Sequence, residues 1–280
     1  MSTITTAVPH PQRAPLRSFS AYADLLLPAF SLWLREIIRF YRMRSRVVGV
    51  IISPVLFWLV LGSGFGSSLR GPAGGGQHYL EYFFPGALIM IVLFTSIFAM
   101  MSLIEDRREG FLLSVLVSPA SRSAIVLGKV LGGATLAFLQ GLIFLVFAPV
   151  IGVRMGLAQV GISVLAIFLI AFALTALGFT IAWRLDSTQA FHAIINLFLI
   201  PLWLLSGALF PLSGASGWLR VLMRLNPLTY GVEALRGLLY PGSSLDFPVS
   251  SSLIVLAVFT VVMFGLAFVM ANRRTTKPAA

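Results

Sequence analysis

Few residues in this 280-residue chain could do chemistry, and they sit apart. Gly128-Lys129 has the ending of a phosphate-binding loop. That loop needs GxxxxGK followed by Ser or Thr, so that backbone amides cradle phosphate and the hydroxyl reaches magnesium. Here Ser123 replaces the first glycine and Val130 replaces the hydroxyl, so the chain does not bind ATP this way. Lys129 is expected instead to snorkel to a membrane surface. Gly214-Ala215-Ser216-Gly217 has the GxSG spacing of an intramembrane serine nucleophile. Such a serine needs a neighbouring base. His192 is the one histidine in a membrane-length run, it precedes the serine, and Ser216 falls in a connecting segment. Nucleophile and base therefore fail to meet. His10, His78 and His192 are too scattered to hold a metal, and with no cysteine there is neither disulfide nor thiolate ligand. An ion-coupled carrier would need ionisable residues near the membrane midplane. None of the nine acidic residues lies in the middle of an apolar run. The polar residues there are neutral: Thr95, Ser96, Gln140, Thr175, Thr180 and Asn196. Interhelical hydrogen bonding is their expected role, with Gln140 and Asn196 the candidates for the wall of a substrate path.

The elements that must position these residues are set by lipid. The chain is 58% hydrophobic and 10% charged, with a mean hydropathy of +0.97, where a soluble domain carries about 25% charged residues. Its net charge of +11 would suggest nucleic acid on a soluble protein. Its cations flank apolar runs, so anionic headgroups account for them and no nucleic acid is expected. Residues 1–20, with Pro9, Pro11 and Pro15, read as a disordered cytoplasmic tail without the apolar region of a signal peptide. Over residues 21–46, Phe30, Leu34, Ile37 and Tyr41 share one helical face and Arg35, Arg39, Arg42 and Arg46 another. That pattern predicts an amphipathic interface helix with its arginines towards headgroups.

Six runs, 47–65, 83–104, 126–151, 160–183, 190–210 and 253–271, approach the roughly 20 residues that cross a bilayer. With both termini inside, fifteen of the twenty cations are cytoplasmic, including those of the 272–280 tail. The five left outside are Arg70, Arg154, Arg220, Arg224 and Arg236. The glycine-rich 66–82 link reads as a flexible turn. Residues 211–252 are too long for a plain connector. Two helices, 216–225 and 228–240, are expected there around Asn226-Pro227, with Glu233 and Arg236 spaced to pair. They are expected to dip into the outer leaflet, covered by protein.

Between the second and third runs stands Glu105-Asp106-Arg107-Arg108-Glu109-Gly110, then an apolar Phe111–Val117, then Ser118-Pro119. Proline disfavours α geometry in the residue before it, so the short helix stops there. Such a helix either rests among headgroups or lays an apolar face into a partner's groove.

This charged run, with Ser118-Pro119 and Gly128-Lys129, resembles the cytoplasmic loop of ABC-2-type permeases, the membrane subunits of ATP-binding-cassette exporters. LSGALFPL (205–212) and NPLTYGVEALRGLLYP (226–241) resemble a second motif of that family. The resemblance covers roughly residues 25–274. It implies an all-α integral membrane protein of six transmembrane helices, with a cytoplasmic coupling helix and re-entrant outer helices before the last span. It implies an ABC ATPase subunit as partner, holding the ATP and magnesium, and a second permease in a homodimer or heterodimer within the inner (plasma) membrane. Glu105, Asp106 and Glu109 would then meet cations of the ATPase, with Arg107, Arg108 and Gly110 in the same loop. Phe111, Leu112, Val115 and Leu116 would fill its groove, and Ser118-Pro119 would end the helix. Asn226, Pro227, Tyr230, Glu233 and Arg236 would form an outer gate.

Overall fold

The computed structural model describes residues 21–42, 44–65, 79–117 and 121–273. The expected tails, most of the 66–82 link, and Ser118-Pro119 lie outside the described residues, as does the side chain of Arg46. Among the described residues the protein is helical without strands. Its helices are α1 (Ala21–Arg42), α2 (Arg44–Phe65), α3 (Tyr79–Ala99), α4 (Met101–Arg108), α5 (Phe111–Val117), α6 (Arg122–Leu145), α7 (Leu157–Arg184), α8 (Thr188–Leu204), α9 (Gly217–Leu225), α10 (Pro227–Leu239) and α11 (Val249–Asn272). Side-chain caps start several of them. Ser121 accepts from the Ala124 amide, Ser187 from Ala190 and Asn226 from Leu228, satisfying donors that a first turn leaves open. Pro227 at the first position of α10 loses no hydrogen bond there.

Among the described residues, four segments are long and apolar enough to cross a membrane: Tyr79–Arg108, Arg122–Ile151, Leu157–Arg184 and Val249–Asn272. The run expected at 190–210 is shorter, because helix stops at Leu204. There the chain turns back through Gly207, at φ 79°, a left-handed conformation that favours glycine. Residues 205–210 then lie on α3 where Gly86 leaves room: a Cβ on Gly86 would stand 2.4 Å from that of Ala208.

α3 is the axis of the bundle, buried along most of its length with α2, α6, α7 and α10 around it. α11 packs on α7 and α10, and α1 packs on α6. The α1–α6 contact is close because glycines line it. A Cβ on Gly128 would meet the Ala29 carbonyl oxygen at 2.7 Å, and one on Gly132 would meet the Glu36 Cβ at 2.7 Å. Glycines four apart on an apolar helix form a groove that admits a second backbone. Gly132→Leu should therefore separate α1 from α6 and cost about 1–3 kcal/mol, the usual range for overpacking. Gly161, with nothing within 4 Å, is the control position. Thermal unfolding of the purified protein should fall by several degrees for Gly132→Leu and not for Gly161→Leu.

Candidate functional site

The glycine groove carries Glu36 of α1 to Lys129 of α6. Lys129, 1% exposed, donates to Glu36, to Ser102 Oγ at 3.2 Å and to Asp106. An ammonium has three donors, and all three are used. Asp106, fully buried, accepts from Arg35 at 2.9 and 2.7 Å, from Arg39 at 2.8 Å and from Lys129. A carboxylate offers about four lone-pair sites, and four bonds fill them. Ser102 also donates to Glu36 at 2.6 Å, and Arg39 reaches Glu105 at 2.6 Å. Burial works against the Arg35 charge, but its bonds to Asp106 and their attraction outweigh it and raise the Arg35 pKa above the ordinary value. One ion cluster thus joins α1, α4 and α6.

This corrects three expectations. Lys129 does not snorkel, because Gly128 and Gly132 bring an acid-bearing helix against it. Asp106 does not face outward, and Arg35 and Arg39 turn to it rather than to headgroups. Arg107 is also spent inside: it donates to the carbonyls of Trp183 (2.7 Å) and Leu185 (2.9 Å) and to Asp186 (2.8 Å). It thereby closes the C-terminus of α7, where a cation is favoured.

α5 follows from Gly110, whose φ of 76° makes the turn out of α4. The guanidinium carbon of Arg35 sits 3.6 Å from the Phe111 ring centroid, a cation–π contact. Leu112 is buried, while Phe111, Val115 and Leu116 pack against the protein's own core. These four were expected to face a partner. A helix with six apolar residues in seven is apolar all round, so its composition does not select a face. The face left open is Leu113 (61% exposed), Ser114 and Val117 (88%), flanked by Arg108 and Glu109.

At the other end of the bundle, Glu233 and Arg236 pair at 2.5 Å, as their spacing predicts, and both are buried. Arg236 also donates to the Gly207 carbonyl at 2.9 Å and lies over the Tyr82 ring at 4.3 Å. Glu233 accepts from the Asp246 amide at 2.9 Å. Asn226 donates to the Leu202 carbonyl (2.6 Å), and the Tyr230 hydroxyl to that of Arg224 (2.9 Å). The expected outer residues are thus brought together, with Pro227 starting α10. Gln140 and Asn196 are not brought together: Gln140 is buried against Thr95, and Asn196 is exposed on α8. Ser216 directly precedes α9 at this end, with no side-chain bond to its first turn, and His192 sits in the first turns of α8 at the other, against Phe98.

Sequence reasoning passed over Glu36, Gly132, Tyr82 and Gly207. A GxxxG pair beside a lysine in an apolar run was the available signal for the first two.

These features define a helical membrane protein with a buried ion cluster at one end and a buried ion pair at the other. A family model of the ABC-2 type transporter matches residues 29–240, and the chain belongs to that family. Relatives agree. The transport permease ycf38 of Cyanophora paradoxa is 30% identical over 83% of this chain and 80% of its own. The doxorubicin resistance ABC transporter permease DrrC of Mycobacterium tuberculosis is 25% identical over 81% and 80%. The inner membrane transport permease YadH of Escherichia coli is 25% identical over 87% and 94%. The chain is a permease subunit of an ABC transporter.

The ion cluster makes a prediction of its own. Lys129→Met should cost about 3–5 kcal/mol, since it leaves a buried carboxylate without its partner. Lys129→Met combined with Glu36→Met should cost less than Lys129→Met alone. Thermal unfolding compares the two, and an equal or greater loss in the double variant would contradict the pairing.

Proposed function

We propose that this permease is the membrane half of an ATP-driven exporter and that α5 is where a separate ABC ATPase docks. The observation that carries the reading is the open apolar face of α5, Leu113 and Val117, on a helix braced from behind. Charged Arg108 and Glu109 rim that face, as a protein groove with a polar edge would require. ATP and magnesium belong to the partner, and this chain hydrolyses nothing. Movement of α5 would pass through Phe111 and Arg35 to Asp106 and Lys129, and so to α1 and α6 together. Glu105 and Gly110 act within the same loop, with Ser118-Pro119 ending it.

The full topology is six spans, with α2 and α8 added to the four long apolar segments, both termini in the cytoplasm and the chain in the plasma (inner) membrane. Two permeases, alike or different, enclose the path. Asn196, on the exposed face of α8, is the better path candidate; Gln140 is engaged by Thr95. α9 and α10 close the outer end: Pro227 starts α10, Tyr230 ties it to α9, Asn226 ties it to α8, and Arg236, paired with Glu233, ties it to Gly207 and to Tyr82 of α3. Relatives named for doxorubicin and daunorubicin resistance support outward transport, since a cell resists a drug by removing it.

Replacing Leu113 and Val117 together by aspartate puts two charges on the docking face. Loss of such anchors typically costs at least 2 kcal/mol, about thirtyfold in affinity. Co-purification of the partner ATPase, normalised for membrane insertion, should fall accordingly. Undiminished capture would refute docking on α5 and would fit a helix resting among headgroups. The cysteine-free chain also allows a direct topology test. Cysteines placed singly at Ser114 and Ser213, both exposed, should label from opposite sides of the membrane in intact cells. Labelling of both from outside would overturn the inside-termini topology.

A further inference from the structure

Asp106 and Arg107 are successive residues of α4, so their side chains leave the helix about 100° apart. Asp106 goes to Arg35, Arg39 and Lys129, and so to α1 and α6. Arg107 goes the other way. One nitrogen of its guanidinium donates to the Leu185 carbonyl at 2.9 Å and to Asp186 at 2.8 Å. The other donates to the Trp183 carbonyl at 2.7 Å, so the fork grips the end of α7 and its link to α8 together.

Closing the C-terminus of α7 is the plain role for such a cation. Arg184, in the last turn of α7 itself, is placed to fill that role, yet it is exposed and the bonds come from α4. What this borrowed cap also governs is α8. That helix buries one stripe, Phe191, Ile195, Leu199 and Trp203, and leaves Asn196 and its two successors open. Its outer end is pinned: Trp203 donates to the Gly86 carbonyl at 2.9 Å, and Asn226 to that of Leu202 at 2.6 Å. Its inner end starts at Thr188, directly beyond the residues that Arg107 holds.

We propose that Arg107 is a positioning residue for export: it passes movement of α4 and α5 to the inner end of α8, which swings about its pinned outer end. This rests on the reading that an ATPase docks on α5, and it adds a second output to the one through Asp106. The two outputs leave from adjacent residues, so one displacement of α4 drives α1 with α6 on one side and α8 on the other. Asn196 lies between the two ends of α8 and moves with it. Coupling of this kind needs a physical connection with two arrangements that both sites bias. The three bonds of Arg107 are that connection.

The test uses the permease co-purified with its partner ATPase in nanodiscs. The chain has no cysteine, so single cysteines at Ile38 of α1 and Ala193 of α8, both exposed, report the two outputs separately. Labelling rates with a maleimide are compared with and without vanadate-trapped MgATP. With Arg107 in place, MgATP should change the rate at both positions. Arg107→Gln should lose the change in Ala193→Cys and keep it in Ile38→Cys, with ATPase capture undiminished. Arg107→Lys, which keeps the charge without the fork, should fall between. A full response of Ala193→Cys in Arg107→Gln would overturn the proposal and leave docking on α5 standing. So would equal loss at both positions in a variant that unfolds at the wild-type temperature, or a response of Ile38→Cys alone with Arg107 in place. If Arg107→Gln unfolds early, Arg107→Lys decides, and a full response of Ala193→Cys there overturns the proposal. No response at either position with Arg107 in place would refute the docking reading, and this inference with it.

Discussion

The structure depends on an ammonium group taken out of water. Removing a lysine charge from solvent costs several kcal/mol even after relaxation, and attraction repays that only when geometry is good and the remaining protons are bonded. Lys129 meets the condition by giving its three protons to Glu36, Ser102 and Asp106. Those acceptors come from α1 and α4, so the charge is stable only where these elements already meet α6. The arrangement of α1 against α6 follows from this. Gly128 and Gly132 make the approach possible, and Glu36 makes it necessary.

The same economy explains α5. A short apolar helix has no face of its own, and its neighbours assign one. Arg35, held by Asp106, lies over Phe111, and Leu112 is buried beneath the turn made by Gly110. Leu113 and Val117 are left outside by exclusion. The docking surface we propose on α5 would take its orientation from the buried ion cluster that holds Arg35. Changes at Asp106 would then reach a partner without touching it.

Much of the scaffold was legible because lipid imposes a simple rule on length and apolarity. The runs ending near Ile104, Ile151, Trp183 and Ala271 all correspond to long apolar helical segments. The Glu233–Arg236 pair was legible because three residues bring two side chains to one side of a helix. The end of α8 was not, since hydropathy continues through Leu205 and Ala208 while the backbone turns at Gly207. The direction of the charged run was not legible either. Glu105 to Glu109 looks like one exposed turn, yet Asp106 is fully buried and Glu109 is mostly exposed, three residues apart. Helical spacing separates their faces, but which face is inward was decided by Lys129, twenty-three residues away in the chain. Pairing between distant segments has no local signature.

The two ends of the bundle are held by different kinds of bond, and the difference bears on how the proposed permease would move. Around Lys129 the charges bind one another across helices, so separating α1, α4 and α6 exposes several unpaired ions at once. That end is suited to moving as one body. Around Arg236 the ion pair is internal to α10, three residues apart, and would survive if α10 shifted. Beyond its apolar packing on α3, α7 and α11, the hydrogen bonds that tie the α10 region to its neighbours go to main-chain oxygens: Arg236 to Gly207, Asn226 to Leu202 and Tyr240 to Glu81. Water can replace a carbonyl acceptor at a net cost of about 0.5–1.5 kcal/mol for each ordinary bond, and about 1.5–3 for a charged donor. The Arg236 guanidinium would keep Glu233 as its counter-ion throughout. An end joined by such contacts can open without stranding a charge, whereas the Lys129 end cannot.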